Sequence, residues 1–333
     1  MVSSIAIVGA GTMGTGIASN AVRHGIEVTM LDRSRQALDR SAQQIARQLQ
    51  KHEEAGRLDA AQARACRSHI RYTDDVDAPL EADLVIEAVF EDFAVKTKLL
   101  GHISAVCSET TLIATNTSAL RVSGLAKAVA CPGRFLGMHY FSPADTSPVV
   151  ELVQGEQTSA EALARAAAFL QATGRTILHC KDAPGFAINR FFVPFLNAAA
   201  QIIDHGGGTI RQVNEIGRDL VGSPVGPFDV MNFIKPVIAR NAMKNLAELG
   251  PAYTLSEGLD DLVERGELWA VEGEADLGHD SAAIRQLLLK SIAAPAEEIR
   301  QAGIADPQEI DRCAKLALRW GRGPFQMLAD NPD

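Results

Sequence analysis

Basic residues are in the minority in this chain: 32 Lys and Arg stand against 41 Asp and Glu, for a formal net charge of −9. A chain of that sign lacks the electrostatic footprint of a nucleic-acid binder, and no polybasic run suits a membrane surface. Any anionic substrate then needs a local basic patch. Long hydrophobic runs are also missing. The apolar start Ile5-Ala6-Ile7-Val8 has no basic flank and is too short for a secretory signal, and no later stretch reaches the roughly eighteen uncharged residues of a membrane span. The expectation is a soluble cytoplasmic protein. Cysteine is sparse and odd in number: Cys66, Cys107, Cys131, Cys180 and Cys313 show no paired spacing. That excludes a disulfide framework and a zinc site and leaves buried thiols.

What is present points to two domains, since 333 residues with 47% hydrophobic content can bury sizeable cores. Ser4-Ile5-Ala6-Ile7-Val8 reads as a buried strand, Gly9-Ala10-Gly11-Thr12-Met13-Gly14 as a glycine turn, and Ile17 to His24 as a helix stopped by Gly25. Gly9, Gly11 and Gly14 permit a tight turn, close backbone approach to a pyrophosphate and close helix-to-strand packing, and N–H groups at Thr12 and Met13 suit phosphate. The next strand, Glu27 to Leu31, ends in Asp32, about twenty residues after the glycines, as a dinucleotide fingerprint requires. Asp32 suits an adenine-ribose diol. Arg33 and Arg35 are near enough to hold a 2′-phosphate, but the carboxylate repels one, so NAD is favoured over NADP.

Residues 35–67 read as two exposed helices broken at Gly56, a longer crossover than a plain nucleotide fold needs. Strands return at Ile70-Tyr72, Asp83-Ala88 and Thr111-Thr115, with a helix from Phe93 to Val106 between the last two. The alternation argues an α/β fold with a parallel doubly wound sheet. Asn116-Thr117-Ser118 then falls at the carboxyl end of a strand, where such sheets bind ligands; Ser118 suits either that site or a helix N-cap. Two further short extended segments carry His139 and Glu151. If the two meet, the carboxylate fixes the imidazole tautomer and the imidazole exchanges a proton near neutral pH.

A helix over Ser159–Thr173 and a strand over Thr176–Cys180 follow, and the nucleotide domain is expected to span 1–184. Residues 185–333 read as helical. They contain an internal repeat at an offset of 97: Gly226-Pro227-Phe228 recurs as Gly323-Pro324-Phe325, and Asn214 matches Asp311. The two copies cover about 186–232 and 283–329. Duplicated helical units commonly pack on each other, since one alone exposes an apolar face. Only the first copy carries Asn189-Arg190; the second has Gln286-Leu287 there.

Together the stretches Gly9–Gly16, Glu87-Ala88-Val89-Phe90-Glu91, Asn116–Leu120, His139–Pro143, Pro148–Glu151 and Pro184–Arg190 resemble the L-3-hydroxyacyl-CoA dehydrogenase family, including the dehydrogenase part of multifunctional fatty-acid oxidation proteins. The resemblance covers essentially the whole chain. It implies a Rossmann-type domain followed by an all-α domain, NAD as cofactor without metal, and reversible oxidation of a 3-hydroxyacyl-CoA in β-oxidation. His139 resembles the family's general base, Glu151 its orienting carboxylate, and Ser118 and Asn189 the groups that hold the substrate oxygen. Glu91, Lys96 and Asn116 resemble cofactor contacts; taken alone, Glu91 and Lys96 suit an exposed helix start and Asn189 a helix cap. The second helical copy implies a pseudo-dimer within one chain, compatible with homodimer formation through other surfaces.

Three departures stand out. A Gly-x-Lys-x-Gly-x-Gly-Phe-Tyr segment is replaced by Leu268 to Asp276. The arm has Gln48 and Ala55 where simple members offer Ser and Lys to coenzyme A, with Arg47 and Lys51 nearby as substitutes. Ser142 stands where many members have Asn, although Ser occurs in the multifunctional branch. These leave a dehydrogenase of a carrier-protein-bound or free hydroxy acid, and a non-catalytic NAD-binding protein, as other readings.

Overall fold

The computed structural model describes residues 2–75, 81–272 and 279–330. The chain divides into two compact units, Met1–Asp182 and Ala183–Asp333.

One eight-stranded sheet organises the first unit, in the order β3-β2-β1-β4-β5-β6-β7-β8. Its strands are β1 (Ser4–Val8), β2 (Glu27–Leu31), β3 (Ile70–Thr73), β4 (Leu84–Glu87), β5 (Leu112–Thr115), β6 (Phe135–Tyr140), β7 (Val149–Gln154) and β8 (Thr176–Lys181). Pairings from β3 across to β6 are all parallel; β7 then pairs antiparallel with β6, and β8 parallel with β7. The wound sheet read from the alternation is present, and the structure adds one reversal of direction to it. Every residue of β4, β5 and β6 is buried, which is why these segments read as continuous apolar runs and not as alternation.

Helices α1 (Thr12–Arg23), α2 (Arg35–Glu54), α3 (Ala60–Ser68), α4 (Phe93–Val106), α5 (Val122–Ala126) and α6 (Ala160–Ala172) complete the unit. On α2, Leu38, Ile45 and Leu49 recur at helical spacing and are buried in the core shared with α1 and the sheet. Ser34 starts that helix by accepting from Ala37 N–H, and Asp59 with Gln62 forms a capping box at the start of α3. Gly56, at φ +67°, makes the left-handed turn between them.

The second unit consists of helices among its described residues: α7 (Asn189–Asp204), α8 (Ile210–Val221), α9 (Pro227–Ile234), α10 (Pro236–Leu246), α11 (Glu257–Arg265), α12 (Ser281–Gln301), α13 (Pro307–Leu318) and α14 (Pro324–Asp330). Its two Gly-Pro-Phe stretches do the same physical work. Asn214 Oδ1 accepts from Phe228 N–H at 2.9 Å, and Asp311 Oδ1 accepts from Phe325 N–H at 2.8 Å, so each ties down the first turn of a short helix. Proline in that first turn has no N–H to satisfy. Glycine before it is a steric requirement, because a Cβ at Gly226 or Gly323 falls 2.2 Å from the Oδ1 of Asn214 or Asp311.

Two expectations need correction. Cys66, Cys180 and Cys313 are buried, but Cys107 is only half-buried and Cys131 is exposed, because Cys131 lies in the loop before β6 and not on an inward face. Ser118 caps no helix: α5 begins at Val122 with Arg121 in the capping position. No helix among the described residues is long and apolar enough to cross a membrane.

The crowding at the capping residues yields a test. Gly226→Ala and Gly323→Ala should each lower unfolding stability by about 1–3 kcal/mol, the usual cost of overpacking. Gly133→Ala, whose Cβ meets nothing nearer than 3.7 Å, should stay within about 0.5 kcal/mol of wild type. Denaturant titration decides it; equal losses at all three sites would remove crowding as the cause.

Candidate active site

The glycine turn between β1 and α1 is folded on itself. Gly9 donates its N–H to Leu31 O at 2.8 Å and sits at φ +115°, where a Cβ would lie 2.6 Å from Ala88 O. A Cβ at Gly14 would lie 2.0 Å from Gly9 O, so strand and helix touch without a side chain between them. Gly11 is different: it heads α1 with no side-chain cap, and a Cβ there meets nothing within 4 Å. The first-turn N–H groups of α1 at Thr12 and Met13 therefore open on space where an anion can approach the positive end of the helix. Asp32, at the end of β2, accepts from Ala10 N–H at 2.9 Å and from Ser34 N–H at 2.8 Å. Each carboxylate oxygen keeps a lone pair beyond those bonds. A side-chain-free cradle beside a carboxylate fits a dinucleotide. Arg35 pairs with Asp39 along its own helix at 3.7 Å, turning its charge away from that role.

Beneath this edge lies a buried ionic network that no sequence motif announced. Glu87, the last residue of β4, is wholly buried; it accepts from Lys96 Nζ at 2.7 Å, Val89 N–H at 2.8 Å and Thr115 Oγ1 at 2.6 Å. Lys96 is 1% exposed and reaches Val89 O at 3.2 Å and Glu91 at 3.4 Å. It is therefore no exposed helix start, and its ammonium sits under the surface. Glu91 in turn accepts from Thr117 Oγ1 at 2.5 Å, Ser118 N–H at 2.9 Å and Ala119 N–H at 3.1 Å. One carboxylate thus sets the turn that presents Ser118. Asn116, at the head of this turn, accepts from Tyr140 N–H through Oδ1 at 3.0 Å and so ties the turn to β6.

His139 and Glu151 face one another as cross-strand partners in the antiparallel β6–β7 ladder. Their side chains share a face, and Nδ1 lies 2.6 Å from Glu151 Oε2. Glu151 is wholly buried and His139 is 6% exposed, with the Phe141 ring against the imidazole at a centroid distance of 4.6 Å. A carboxylate on Nδ1 selects the tautomer whose Nε2 exchanges a proton. Arg175, also missed in the sequence, fastens the loop that joins the two strands to α1: it donates to Ala144 O at 2.7 Å and Ser147 O in the loop and to Asn20 Oδ1 on the helix. The only advance signal for it was a charged residue directly after the helix-stopping Gly174.

The remaining candidates are placed as follows. Arg47 and Lys51 lie one turn apart on the exposed face of α2, while Gln48 is turned inward and donates to Asp145 Oδ2 at 3.0 Å. Asn189 heads α7 in the second unit, with Ile188 in the capping position, so it is a first-turn residue and not a cap. Of the stretch that replaces the glycine-rich segment, residues 273–276 lie outside the described residues; Trp269 is buried against Phe228, and its backbone N–H and C=O are both bonded by the Asn232 side-chain amide.

Residues 4–183 match the NAD binding domain of 3-hydroxyacyl-CoA dehydrogenase, and residues 185–275 match its C-terminal domain. The chain belongs to the 3-hydroxyacyl-CoA dehydrogenase family. With the family come NAD as cofactor and oxidation of a 3-hydroxyacyl-CoA as the reaction. A probable 3-hydroxyacyl-CoA dehydrogenase of Caenorhabditis elegans is 30% identical over 282 residues, 82% of this chain and 91% of the relative. Among solved structures, (S)-3-hydroxybutyryl-CoA dehydrogenase of Ralstonia eutropha superposes with a TM-score of 0.77 at 29% identity, over 83% of this chain and 98% of that one. The fold alone is shared more completely with 3-hydroxybutyryl-CoA dehydrogenase of Escherichia coli, at a TM-score of 0.89, 23% identity and coverage of 99% and 92%.

Within this dehydrogenase the Glu87–Lys96 pair is open to test. Lys96→Met leaves the Glu87 carboxylate buried without its cation and should cost about 3–5 kcal/mol in denaturant unfolding. Adding Glu87→Gln should recover a good part of the loss; a double variant no better than the single one would show that the pair is not what stabilises this edge.

Proposed function

We propose that His139 takes the 3-hydroxyl proton of a 3-hydroxyacyl-CoA and that Glu151 orients and charge-balances its imidazole. The observation that carries this is the buried 2.6 Å contact across the strand reversal, in a chain of this family. NAD, when bound, supplies the hydride acceptor. Gly9, Gly11, Gly14 and the α1 N–H groups of Thr12 and Met13 hold its phosphates, and Asp32 its adenine ribose. As His139 gains the proton at Nε2, the Nδ1–H bond to Glu151 becomes charge-assisted and strengthens. Ser118 is assigned to the reacting oxygen, and Asn189 is the second unit's candidate polar contact to substrate. Glu91 acts by fixing the turn of Ser118, with Asn116 offering its NH2 end to the cofactor; Lys96 acts through Glu91.

Arg47 and Lys51 on the exposed arm are assigned to the acyl carrier. The equivalent tethers at Phe228 and Phe325 support two helical copies packing as a pseudo-dimer inside one chain. Five free cysteines suit the reducing cytoplasm.

Oxidation of NADH with acetoacetyl-CoA tests the assignment. His139→Ala should lower kcat at least about 10²-fold, as expected for a lost general base. Glu151→Gln should lower it about 10- to 100-fold, the worth of one charge-assisted hydrogen bond, with NADH binding intact. NADH should be preferred over NADPH, and Asp32→Asn should narrow the preference. Full turnover in His139→Ala would sink the mechanism.

A further inference from the structure

The first unit has an open surface cavity of about 480 Å³ lined by the carboxyl ends of α1 and α2, the β6–β7 loop and the turn into β8. Its walls carry three guanidinium groups, Arg23, Arg57 and Arg175, and two imidazoles, His24 and His52, against a single carboxylate, Asp145. That excess of positive charge stands out in a chain of net charge −9.

The groups divide into those that build the wall and those left for a ligand. Arg175 spends its donors on Ala144 O, Ser147 O and Asn20 Oδ1. Asp145 takes the Gln48 amide at 3.0 Å, which draws its carboxylate toward α2. Arg23 uses Nε on Ser19 O and Nη2 on Asp145 O, and keeps Nη1. His24 sets Nδ1 on Asn20 O at 2.9 Å, which leaves Nε2. Arg57, exposed at the mouth, makes no ion pair or side-chain hydrogen bond among the described residues. His52 is only 8% exposed, lines the cavity and likewise has no hydrogen-bond partner among them. Its ring nitrogens still open on solvent, so a ligand in the cavity can reach them. Burial, with Arg23 and Arg57 close by, pushes the His52 pKa below its ordinary value; a negative charge in the cavity would offset the repulsion from the two arginines.

We infer that this cavity binds a phosphate-ester anion, held by Arg57, by the free edge of Arg23 and by His52. Guanidinium forks match phosphate oxygens two at a time, and a few hundred cubic ångströms is the size of a small-ligand pocket. The phosphate has two possible sources of one chemistry: the phosphorylated nucleotide end of an acyl-CoA, which rests on the functional reading above, or a free phosphorylated metabolite.

Calorimetric titration of the full chain with pyrophosphate and with adenosine 3′,5′-bisphosphate tests the site itself. Both should bind, and Arg57→Ala, a surface change that spares the fold, should weaken both about tenfold or more, the loss expected for one charge-assisted hydrogen bond. No binding, or equal binding in wild type and Arg57→Ala with unfolding midpoints unchanged, overturns the proposal. Kinetics then separate the sources. A raised KM for acetoacetyl-CoA but not for acetoacetyl-pantetheine assigns the phosphate to the carrier. An unchanged KM for both thioesters, with anion binding still lost, assigns it to a free metabolite. If neither thioester is turned over while anion binding still depends on Arg57, the acyl-CoA reading fails and the anion site stands.

Discussion

The reversal of strand direction between β6 and β7 is the constraint on which the rest of the candidate site depends. Side chains directly opposite in an antiparallel pair stand about 5 Å apart on one face, so His139 and Glu151 meet because the register pairs them. A slip of one residue would carry Glu151 to the other face of the sheet. Several contacts hold that register. β8 pairs with β7 along its whole length, Asn116 holds Tyr140 N–H on the other side, and Arg175 ties the connecting loop, through Ala144 O and Ser147 O, to Asn20 on α1. The dyad is thus positioned by backbone pairing and a buried guanidinium, and the two side chains need little freedom of their own.

The buried ions at the end of β4 follow a different logic. Placing Glu87 and Lys96 out of water costs more than a simple salt bridge returns, unless further hydrogen bonds complete both groups. Here they do: Glu87 has three donors and Lys96 three acceptors. The gain lies in geometry. Lys96 leaves Glu91 poised over the turn of residues 117–119, and that carboxylate then collects two backbone N–H groups, the Thr117 hydroxyl and, at 3.4 Å, the Ser118 hydroxyl. Rigid placement of Ser118 by groups that already have their partners is the kind of preorganisation that positional catalysis requires.

Much of the nucleotide half was legible because its signals are local. The glycines of the first turn, Asp32 one strand later, the break at Gly56 and the helix over Phe93–Val106 each follow from a few neighbouring residues, and the structure has them at those positions. What escaped the sequence is set by partners far along the chain. Ser118 reads as a helix cap until Glu91 and Thr117 are seen to hold its turn, and α5 instead takes its N-terminal bonds from Asp182, some sixty residues on. Lys96 reads as a surface lysine until Glu87 is found behind it. The inward side of α2 shows the same limit: Gln48 and Asp145 are far apart in sequence, and only folding shows that the arm residue is committed to the loop between β6 and β7.

The helical duplication shows how a repeat acquires unequal roles. Arg190, in the first turn of α7, is 8% exposed and bonds Glu298 at 3.0 Å, while Tyr253 donates to the same carboxylate at 2.7 Å. Burial and that carboxylate push the Tyr253 hydroxyl up to about 12, so it stays a donor throughout the physiological range. Glu298 lies on α12, the helix of the second copy. The counterpart of Arg190 there, Leu287, is well inside α12 and exposed, because that helix begins at Ser281. Starting α12 earlier removes a second polar helix start of this kind and supplies a long helix that braces the first. Asn189, one residue before Arg190, therefore has its position fixed by the copy that lacks it.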